Sequence, residues 1–214
     1  MNATLLRLCA LLSTSLALHA GAQTPAEAVA LWNGDWAQYL WLESVPLATR
    51  GYVEAAQDLS IVIEAPLKTV MRIYSNVDNS LGLHPFLKAV VPVRRTELDG
   101  VPTYDFIAYE DIPLADGTLF HGVTVAQQRF HLKAHYYDAD SYDVPGIVTH
   151  QHITFARVAG GTQVTEHLVF EAPPQYIAQT VQGGVYAHAL VQNGLKAKIE
   201  SGAFGHHDGD ADRD

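Results

Sequence analysis

The sequence predicts an α+β fold in which a long C-terminal helix lies across a curved antiparallel sheet of seven strands. Two observations indicate this arrangement. Residues 174–201 carry apolar side chains at three- and four-residue spacing, which is typical of an amphipathic helix. Much of the preceding chain alternates with a period of two, which is typical of strands with one buried face. The helix stripe and the sheet face are therefore expected to bury each other.

The first strand and two short helices open the main domain. Residues 58–64 read as a strand that ends at Ala65-Pro66, and proline is favoured at the first position of a helix. A helix is predicted over residues 67–77 and a short, interrupted helix over residues 79–87. The element order is thus strand, helix, short helix, six strands and long helix.

Turn signals separate the six later strands. These are predicted at residues 90–98, 101–110, 118–127, 130–138, 147–158 and 162–171. Asp99-Gly100 is a strong signal for a type I′ hairpin turn. Pairing about it predicts one sheet face formed by Val91, Val93, Arg95, Tyr104, Phe106 and Ala108. Gly160-Gly161 predicts the last hairpin, in which Phe155 would oppose Glu166.

Length, composition and charge restrict the class of protein. The chain has 214 residues, of which 48% are hydrophobic and 17% charged, so one domain with a sizeable core is expected. The formal net charge of -10 argues against nucleic acid as a partner, since nucleic acid attracts clustered lysine and arginine. The sequence contains no phosphate loop, nucleotide fingerprint or HExxH motif, and no cofactor is predicted.

Residues 1–22 are predicted to be a cleaved signal peptide. Arg7 supplies a positive start, residues 8–18 are mainly apolar, and Ala20-Gly21-Ala22 matches a cleavage site. The apolar stretch is shorter than the about 20 residues that a membrane span needs. We therefore expect cleavage before Gln23 and a periplasmic or secreted protein without a stable membrane anchor.

Two further segments flank the main domain, which is predicted over residues 51–201. Residues 23–50 form an N-terminal extension, and Trp32 and Trp36 share one face of a short amphipathic helix within it. Packing of this helix on the main domain is preferred. A segment that touches a membrane or a partner is the alternative, because tryptophan favours half-wet positions. Residues 202–214 are predicted to be a disordered acidic tail.

The opening of the main domain resembles a known family. Ile63-Glu64-Ala65-Pro66-Leu67-Lys68-Thr69-Val70 is similar to the I-x-A-P-x-x-x-V start of the START-like SRPBCC superfamily, and the later His84-Pro85 is similar to its aromatic-or-His-Pro turn. The polyketide-cyclase/dehydrase-like and coenzyme-Q-binding branches look nearest. The likeness covers residues 59–199. Members often carry tryptophan before the proline, where this chain has His84.

The resemblance implies a helix-grip fold. In that fold a seven-stranded sheet curls around the last helix and leaves a cavity between them. Members bind lipids, sterols, polyketides or quinones in this cavity, and some members are enzymes. For this chain the resemblance implies a small hydrophobic molecule as the partner, and the oligomeric state stays open.

Candidate ligand-binding residues are those expected to face this cavity. Polar groups that could anchor a ligand are Tyr104, Glu166 and His188, and they could equally hydrogen-bond one another. The apolar walls are predicted to be Val91, Val93, Phe106, Phe155, Leu168, Val181 and Val185. The preferred hypothesis is an exported protein that binds a lipid-, quinone- or polyketide-like ligand.

Catalysis is the first alternative. Glu166 and His188, with Tyr104, could act as general acid and base in a cyclisation, dehydration or hydrolysis. The sequence has no nucleophile elbow or other catalytic motif, so binding is preferred over catalysis.

Three histidines on the other sheet face give the second alternative. His150, His152 and His167 could bind zinc or copper, and Glu171 could add a carboxylate. They would lie on the outer side of the sheet without a pocket, so a solvated polar face is the preferred interpretation and no metal is predicted. A metal-responsive or protein-interaction module remains the alternative.

Overall fold

A computed structural model of the protein describes residues 24–114, 117–144 and 146–205. The predicted signal peptide and residues 206–214 of the predicted tail lie outside the described residues. Within the described part, no helix combines the length and apolar character needed to cross a bilayer.

The elements follow the predicted order. The helices are α1 (Pro25–Glu43), α2 (Leu47–Arg50), α3 (Leu67–Tyr74) and α4 (Ile177–Glu200). The strands are β1 (Val53–Ile63), β2 (Leu87–Leu98), β3 (Val101–Pro113), β4 (Leu119–His131), β5 (Tyr136–Asp143), β6 (Ile147–Val158) and β7 (Gly161–Ala172). Single 3₁₀ turns occupy Val77–Ser80 and Leu132–Ala134.

The seven strands form one curved antiparallel sheet in the order β1-β7-β6-β5-β4-β3-β2. Each neighbouring pair from β2 to β7 is consecutive in the chain, and β1 closes the sheet beside β7. Helix α4 packs on the concave face against β1 and β7, and α3 packs beside it. The predicted fold class, with short helical elements between the first and second strands, is confirmed.

The hairpin between β2 and β3 corrects one prediction. Asp99 and Gly100 have φ angles of 52° and 81°, as a type I′ turn requires. A bulge between Pro92 and Arg94 inserts one extra residue into β2, which reverses the alternation beyond it. Val91 and Val93 therefore pack on the convex face with α1, and their prediction as cavity walls is wrong.

The hairpin between β6 and β7 differs from the expected register by two residues. Val158 pairs with Gly161, so Phe155 opposes Val164 and Glu166 opposes Ile153. A shift of two residues preserves the face of every side chain, because the side-chain period of a strand is also two.

Two apolar clusters lie on the concave face. The larger one joins α3 and α4 to β1, β5, β6 and β7. Its best-buried members include Ile63, Val70, Ile153, Val164 and Leu195. The smaller one lies on β2, β3 and β4 and consists of Leu87, Tyr104, Phe106, Ala108 and Ala126. The concave side thus contains two clusters of buried residues, and the partly buried Phe130 packs against both.

Helix α1 covers the convex face. It begins with a capping box in which Thr24 and Glu27 satisfy each other's backbone N–H groups. Trp32, Trp36 and Tyr39 stack along the helix with ring centroids 4.8 and 4.3 Å apart. The Trp32 indole N–H donates to the carbonyl oxygen of Ala126 at 3.1 Å. The helix is therefore part of the packed domain, with its aromatic side chains turned to the sheet.

Trp32 should contribute far more stability than Trp41 of the same helix. Trp32 is 2% exposed and Trp41 is 57% exposed. We expect Trp32→Ala to lower the free energy of unfolding by about 3–5 kcal/mol, because it leaves a cavity and removes a buried hydrogen bond. Trp41→Ala should change it by less than about 0.5 kcal/mol. Urea denaturation of both variants checks this, and equal effects would contradict the packing of α1.

Candidate functional site

The two halves of α4 differ in how they meet the sheet. From Ala187 onward, Val191, Leu195 and Ile199 are buried like Ala187 itself, whereas Val181 and Val185 nearer the N-terminus are only half-buried. Below the helix, the concave face of the central strands carries mainly small buried residues, namely Ala108, Ala126, Ala139, Ser141 and Thr149. Small side chains occupy little volume, so these central strands add little bulk to the space between sheet and helix, whereas Phe170 of β7 lies directly against Gly184 of α4.

Glu166 and His188 meet on the concave face, as the catalytic hypothesis requires. Glu166 projects from β7, and its Oε2 atom lies 2.5 Å from Nδ1 of His188 on α4. The hydroxyl of Tyr74, at the end of α3, donates to the other carboxylate oxygen. Three elements thus converge on one carboxylate.

The electrostatics of this group favour an ion pair. Burial opposes the charged form of Glu166, but the charge of His188 and its hydrogen bond outweigh burial and lower the pKa of the carboxyl. Burial likewise opposes the imidazolium of His188, but Glu166 outweighs it and raises the pKa of His188. Burial first, and then the carboxylate, raise the pKa of Tyr74 well above its ordinary value. Tyr74 is therefore a neutral donor.

Gln192 lies one helical turn after His188 and is also buried. It is close enough to Glu166 to help to lower the pKa of that carboxyl. Its Nε2 atom nevertheless makes no hydrogen bond of good geometry with any described residue. A buried donor without a partner is costly, so this amide has a hydrogen bond to offer to a water or a ligand.

A second polar cluster extends from Glu110 on β3. Its Oε1 atom lies 3.8 Å from Nε2 of His84, and its Oε2 atom lies 3.4 Å from the hydroxyl of Thr124. The Thr124 hydroxyl donates its hydrogen to Asp143. Burial, together with the charge of Asp143, raises the pKa of Glu110 to about 7, and burial raises the pKa of Asp143 to about 6.

Tyr104 is not brought together with Glu166 and His188. Among the described residues it makes no hydrogen bond to either, and the Arg95 guanidinium lies 3.9 Å above its ring. Tyr104 instead contributes to a polar pocket of ≈ 320 Å³ between α3, the following 3₁₀ turn and strands β2 to β4. The other lining residues are Arg72, Ser75, Asn76, Asp78, Arg95 and Phe130.

The predicted apolar walls divide into two groups. Phe106, Phe155 and Leu168 are buried on the concave face. Phe155 belongs to the larger cluster, where its ring meets Tyr74 edge-on at 5.8 Å. Val181 and Val185 on α4 are half-buried, and so are Val91 and Val93 on the convex face.

The structure does not bring His150, His152 and His167 together as one group. Each bonds through Nδ1 to a different aspartate, namely Asp140 at 2.7 Å, Asp138 at 2.7 Å and Asp58 at 2.6 Å, respectively. His152 and His167 are opposite each other in the register of β6 and β7, but His150 is a member of a different cluster.

That cluster joins α1 and α2 to the convex face. Possible ligand atoms of Glu43, His150 and Glu171 lie within 4.8 Å of one another. Arg50 is in the same place, with guanidinium nitrogens 2.6 Å from Glu171 and 3.6 Å from Glu43. The hydrogen bond to Asp140, in spite of burial, raises the pKa of His150. The positive charge between the two glutamates is thus already supplied by the Arg50 guanidinium.

Tyr74, Gln192 and Glu110 were missed by sequence reasoning. Tyr74 resembled a core residue, because it shares the apolar side of its helix. Gln192 and Glu110 did carry a usable signal: each is a polar residue at a core-facing position, four residues after His188 in α4 and two residues after Ala108 in β3.

Replacing His188 by asparagine should reveal the ion pair through its pH dependence. The raised pKa of His188 gives stability that is present below the ordinary value of 6.5 and is lost as pH rises through the folded-state pKa. The lowered pKa of Glu166 gives stability that is present above 4.5 and is lost as pH falls through its own folded-state pKa. Between pH 4.5 and 6.5, the free energy of unfolding of wild type should exceed that of His188→Asn by about 3 kcal/mol.

The measurement is urea denaturation of wild type and variant at several pH values. The asparagine amide in this variant could still donate one hydrogen bond to Glu166, so a charge effect is separated from loss of the hydrogen bond. A difference that does not change with pH would show that the pair is not ionised.

Comparison with known proteins shows the fold. No protein-family model matches the sequence, and no curated sequence matches it either. The Zhui aromatase/cyclase from Streptomyces sp. R1128 superimposes with a TM-score of 0.55 at 8% identity, covering 71% of this chain and 96% of that one. A START superfamily protein from Mycobacterium smegmatis gives 0.52 at 12% identity, covering 69% and 97%.

The protein TTHA0849 from Thermus thermophilus gives a TM-score of 0.52 at 14% identity, covering 71% of this chain and 99% of that one. Identities this low establish a shared architecture and no shared chemistry. The chain therefore has the helix-grip fold of the START-like SRPBCC proteins.

Proposed function

We propose that this protein is exported and binds a small, largely apolar molecule between the concave face of the sheet and the N-terminal half of α4. Lipid-, quinone- and polyketide-like molecules have the required character. One observation carries the proposal: the side chain of His188 faces the sheet and bonds to a buried carboxylate, yet it remains 23% exposed. Val181 and Val185, which precede it on α4, are also only half-buried.

The chemistry of the surrounding side chains supports this proposal. Small pockets for ligands usually combine apolar walls with a few fixed polar groups. Here Glu166 holds His188 through Nδ1, so the Nε2 atom of the imidazole is directed elsewhere and can meet a ligand. Gln192 adds an amide donor without a partner among the described residues.

Two further observations agree with the proposal. Solved structures with the same fold include an aromatase/cyclase and a START superfamily protein, and a molecule of this fold is well suited to enclose a guest between sheet and helix. Export rests on the predicted leader, residues 1–22. Native mass spectrometry of protein purified from the periplasm should then reveal a bound hydrophobic compound.

Filling the space should abolish binding and leave the fold intact. Val185→Trp adds a large ring on the sheet-facing side of α4, and Tyr186→Trp adds a similar ring at a neighbouring exposed position. We expect Val185→Trp to weaken binding of the apolar fluorescent probe diphenylhexatriene by at least about tenfold. Tyr186→Trp should bind the probe like wild type.

Thermal denaturation of Val185→Trp distinguishes an open binding region from one that side chains of the protein already fill. If the region were already filled, the extra ring in Val185→Trp would destabilise the protein by about 1–3 kcal/mol through overpacking. Such a loss, together with no binding of the probe by wild type, would contradict a ligand-binding function.

Acid–base catalysis is the second candidate function. The observation that favours it is the 2.5 Å contact between Glu166 and His188, because a carboxylate that orients an imidazole is a common arrangement for a general base. In such a reaction the Nε2 atom of His188 would remove a proton from carbon next to a carbonyl group of the bound molecule.

This candidate predicts a rate that rises with pH. In spite of burial, Glu166 raises the pKa of His188, so the free base forms only as pH rises above that pKa. With 2-tetralone in deuterated water, wild type should speed exchange of the α-protons at least about a hundredfold over buffer once His188 is neutral. Nuclear magnetic resonance follows the exchange, and His188→Asn should give the buffer rate. A wild-type rate equal to that of buffer would refute catalysis and leave binding unaffected.

A further inference from the structure

We infer that the polar pocket beside α3 binds a small aromatic carboxylate that also bears a hydroxyl group. This pocket lies between α3, the 3₁₀ turn Val77–Ser80 and strands β2 to β4, and its volume is ≈ 320 Å³. Its seven described lining residues include none from α4, β5, β6 or β7. The pocket is therefore a further site, separate from the region proposed for the apolar ligand, and the inference does not depend on that proposal.

Two arginines give this pocket its positive charge. Arg72 comes from α3 and Arg95 from β2. Elsewhere on the chain, Arg50, Arg94 and Arg129 each bond to a carboxylate. Among the residues that the structure describes, Arg72 and Arg95 have no carboxylate partner of this kind. Two guanidinium groups without a counter-ion in one pocket favour an anion, and their paired N–H groups match the two oxygens of a carboxylate.

Packing on an aromatic ring holds Arg95 in place. Its guanidinium carbon lies 3.9 Å from the centroid of the Tyr104 ring, and that ring stacks on Phe106 with centroids 5.4 Å apart. Tyr104 is only 4% exposed, so the surface beneath the guanidinium is fixed by the packing of the sheet. A guanidinium stacked in this way keeps its N–H groups at the rim of its plane, where they can donate to an anion.

The charge balance of the pocket favours a ligand with a single negative charge. Asp78 lines the same pocket, so two guanidiniums and one carboxylate leave one net positive charge. A phosphate dianion or a dicarboxylate would exceed this charge and would be repelled by Asp78. The backbone N–H of Asp78 donates to Oδ1 of Asn76 at 3.3 Å, which holds Asp78 in the 3₁₀ turn. Its carboxylate is an acceptor only, so it suits a hydroxyl group of the ligand.

The size of the pocket and its remaining walls indicate a molecule with one ring. A volume of ≈ 320 Å³ corresponds to about ten water molecules at their liquid volume, which exceeds what an inorganic ion needs. Phe130 of β4 is half-buried and supplies an apolar wall. The walls can thus recognise three parts of one molecule: a carboxylate at the arginines, a ring at Phe130 and a hydroxyl at Asp78.

The test compares three probes that differ by one group. In 3-hydroxybenzamide a neutral amide replaces the carboxylate of 3-hydroxybenzoate, and benzoate lacks the hydroxyl. Affinities are measured by titration of the purified protein, followed in ¹H–¹⁵N nuclear magnetic resonance spectra. The variants are Arg72→Gln, Arg95→Gln and Asp78→Asn. The matched control is Lys88→Gln, which removes one positive charge from β2 at a site seven residues, or roughly 20 Å, from Arg95.

The charges of the lining residues set the sign of each expected change. Wild type should bind 3-hydroxybenzoate with a dissociation constant below about 1 mM and at least about tenfold more tightly than the amide. Arg72→Gln and Arg95→Gln should each weaken binding of 3-hydroxybenzoate about five- to tenfold and leave binding of the amide unchanged. Asp78→Asn should strengthen binding of benzoate about threefold, because it removes a repulsion. Lys88→Gln should bind all probes like wild type.

Two results would overturn the inference. One is a wild-type protein that binds acid and amide equally, and the other is a pair of arginine variants that bind the acid like wild type. If Arg95→Gln unfolds through loss of packing on Tyr104, Arg72→Gln decides by the same titration. Diphenylhexatriene is added in parallel, and its displacement by 3-hydroxybenzoate would contradict a separate site. Binding of diphenylhexatriene itself reports only on the proposed function, so either proposal can fail alone.

Discussion

The interaction on which the site depends is the ion pair between Glu166 and His188. A carboxylate buried on a sheet face is costly to keep charged unless a cation and hydrogen bonds compensate it. His188 supplies the charge and Tyr74 a hydroxyl, so α3 and α4 are both tied to β7 at one point. Close by, a Cβ atom on Gly184 would lie 2.5 Å from the Phe170 ring, which shows how closely α4 approaches the sheet there. These contacts fix the position of α4 over the site.

Stability of the sheet does not depend on filling the space over the central strands. The convex face is covered by α1, whose stacked Trp32, Trp36 and Tyr39 bury a large apolar area. On the concave face the larger cluster anchors the C-terminal half of α4. With both of these in place, small residues such as Ala126 and Ser141 can lie on the central strands without loss of the fold, while α4 makes its close contact with Phe170 of β7.

The sequence predicted the element order because hydrophobic period and turn residues are local properties. It also placed Phe155 and Glu166 on the right face, since the actual register differs by an even number of residues. Val93 shows where the same reasoning fails, because a bulge changes parity and nothing in the local alternation marks it. Tyr104 has the correct face but belongs to a different pocket, since distance along a curved sheet is not encoded by alternation.

The identity of the donors in the site is a tertiary property of this kind. A histidine in a sequence carries two possible tautomers, and His84 is restricted to one of them by the N–H groups of Phe86 and Leu87. His188 is restricted by a carboxylate on a strand that the chain reaches 22 residues earlier. His84 is thus a donor through Nε2, and His188 is an imidazolium paired with Glu166. The charge of His188 is already balanced by Glu166, so its Nε2 atom offers a bound molecule a hydrogen bond more than a net charge.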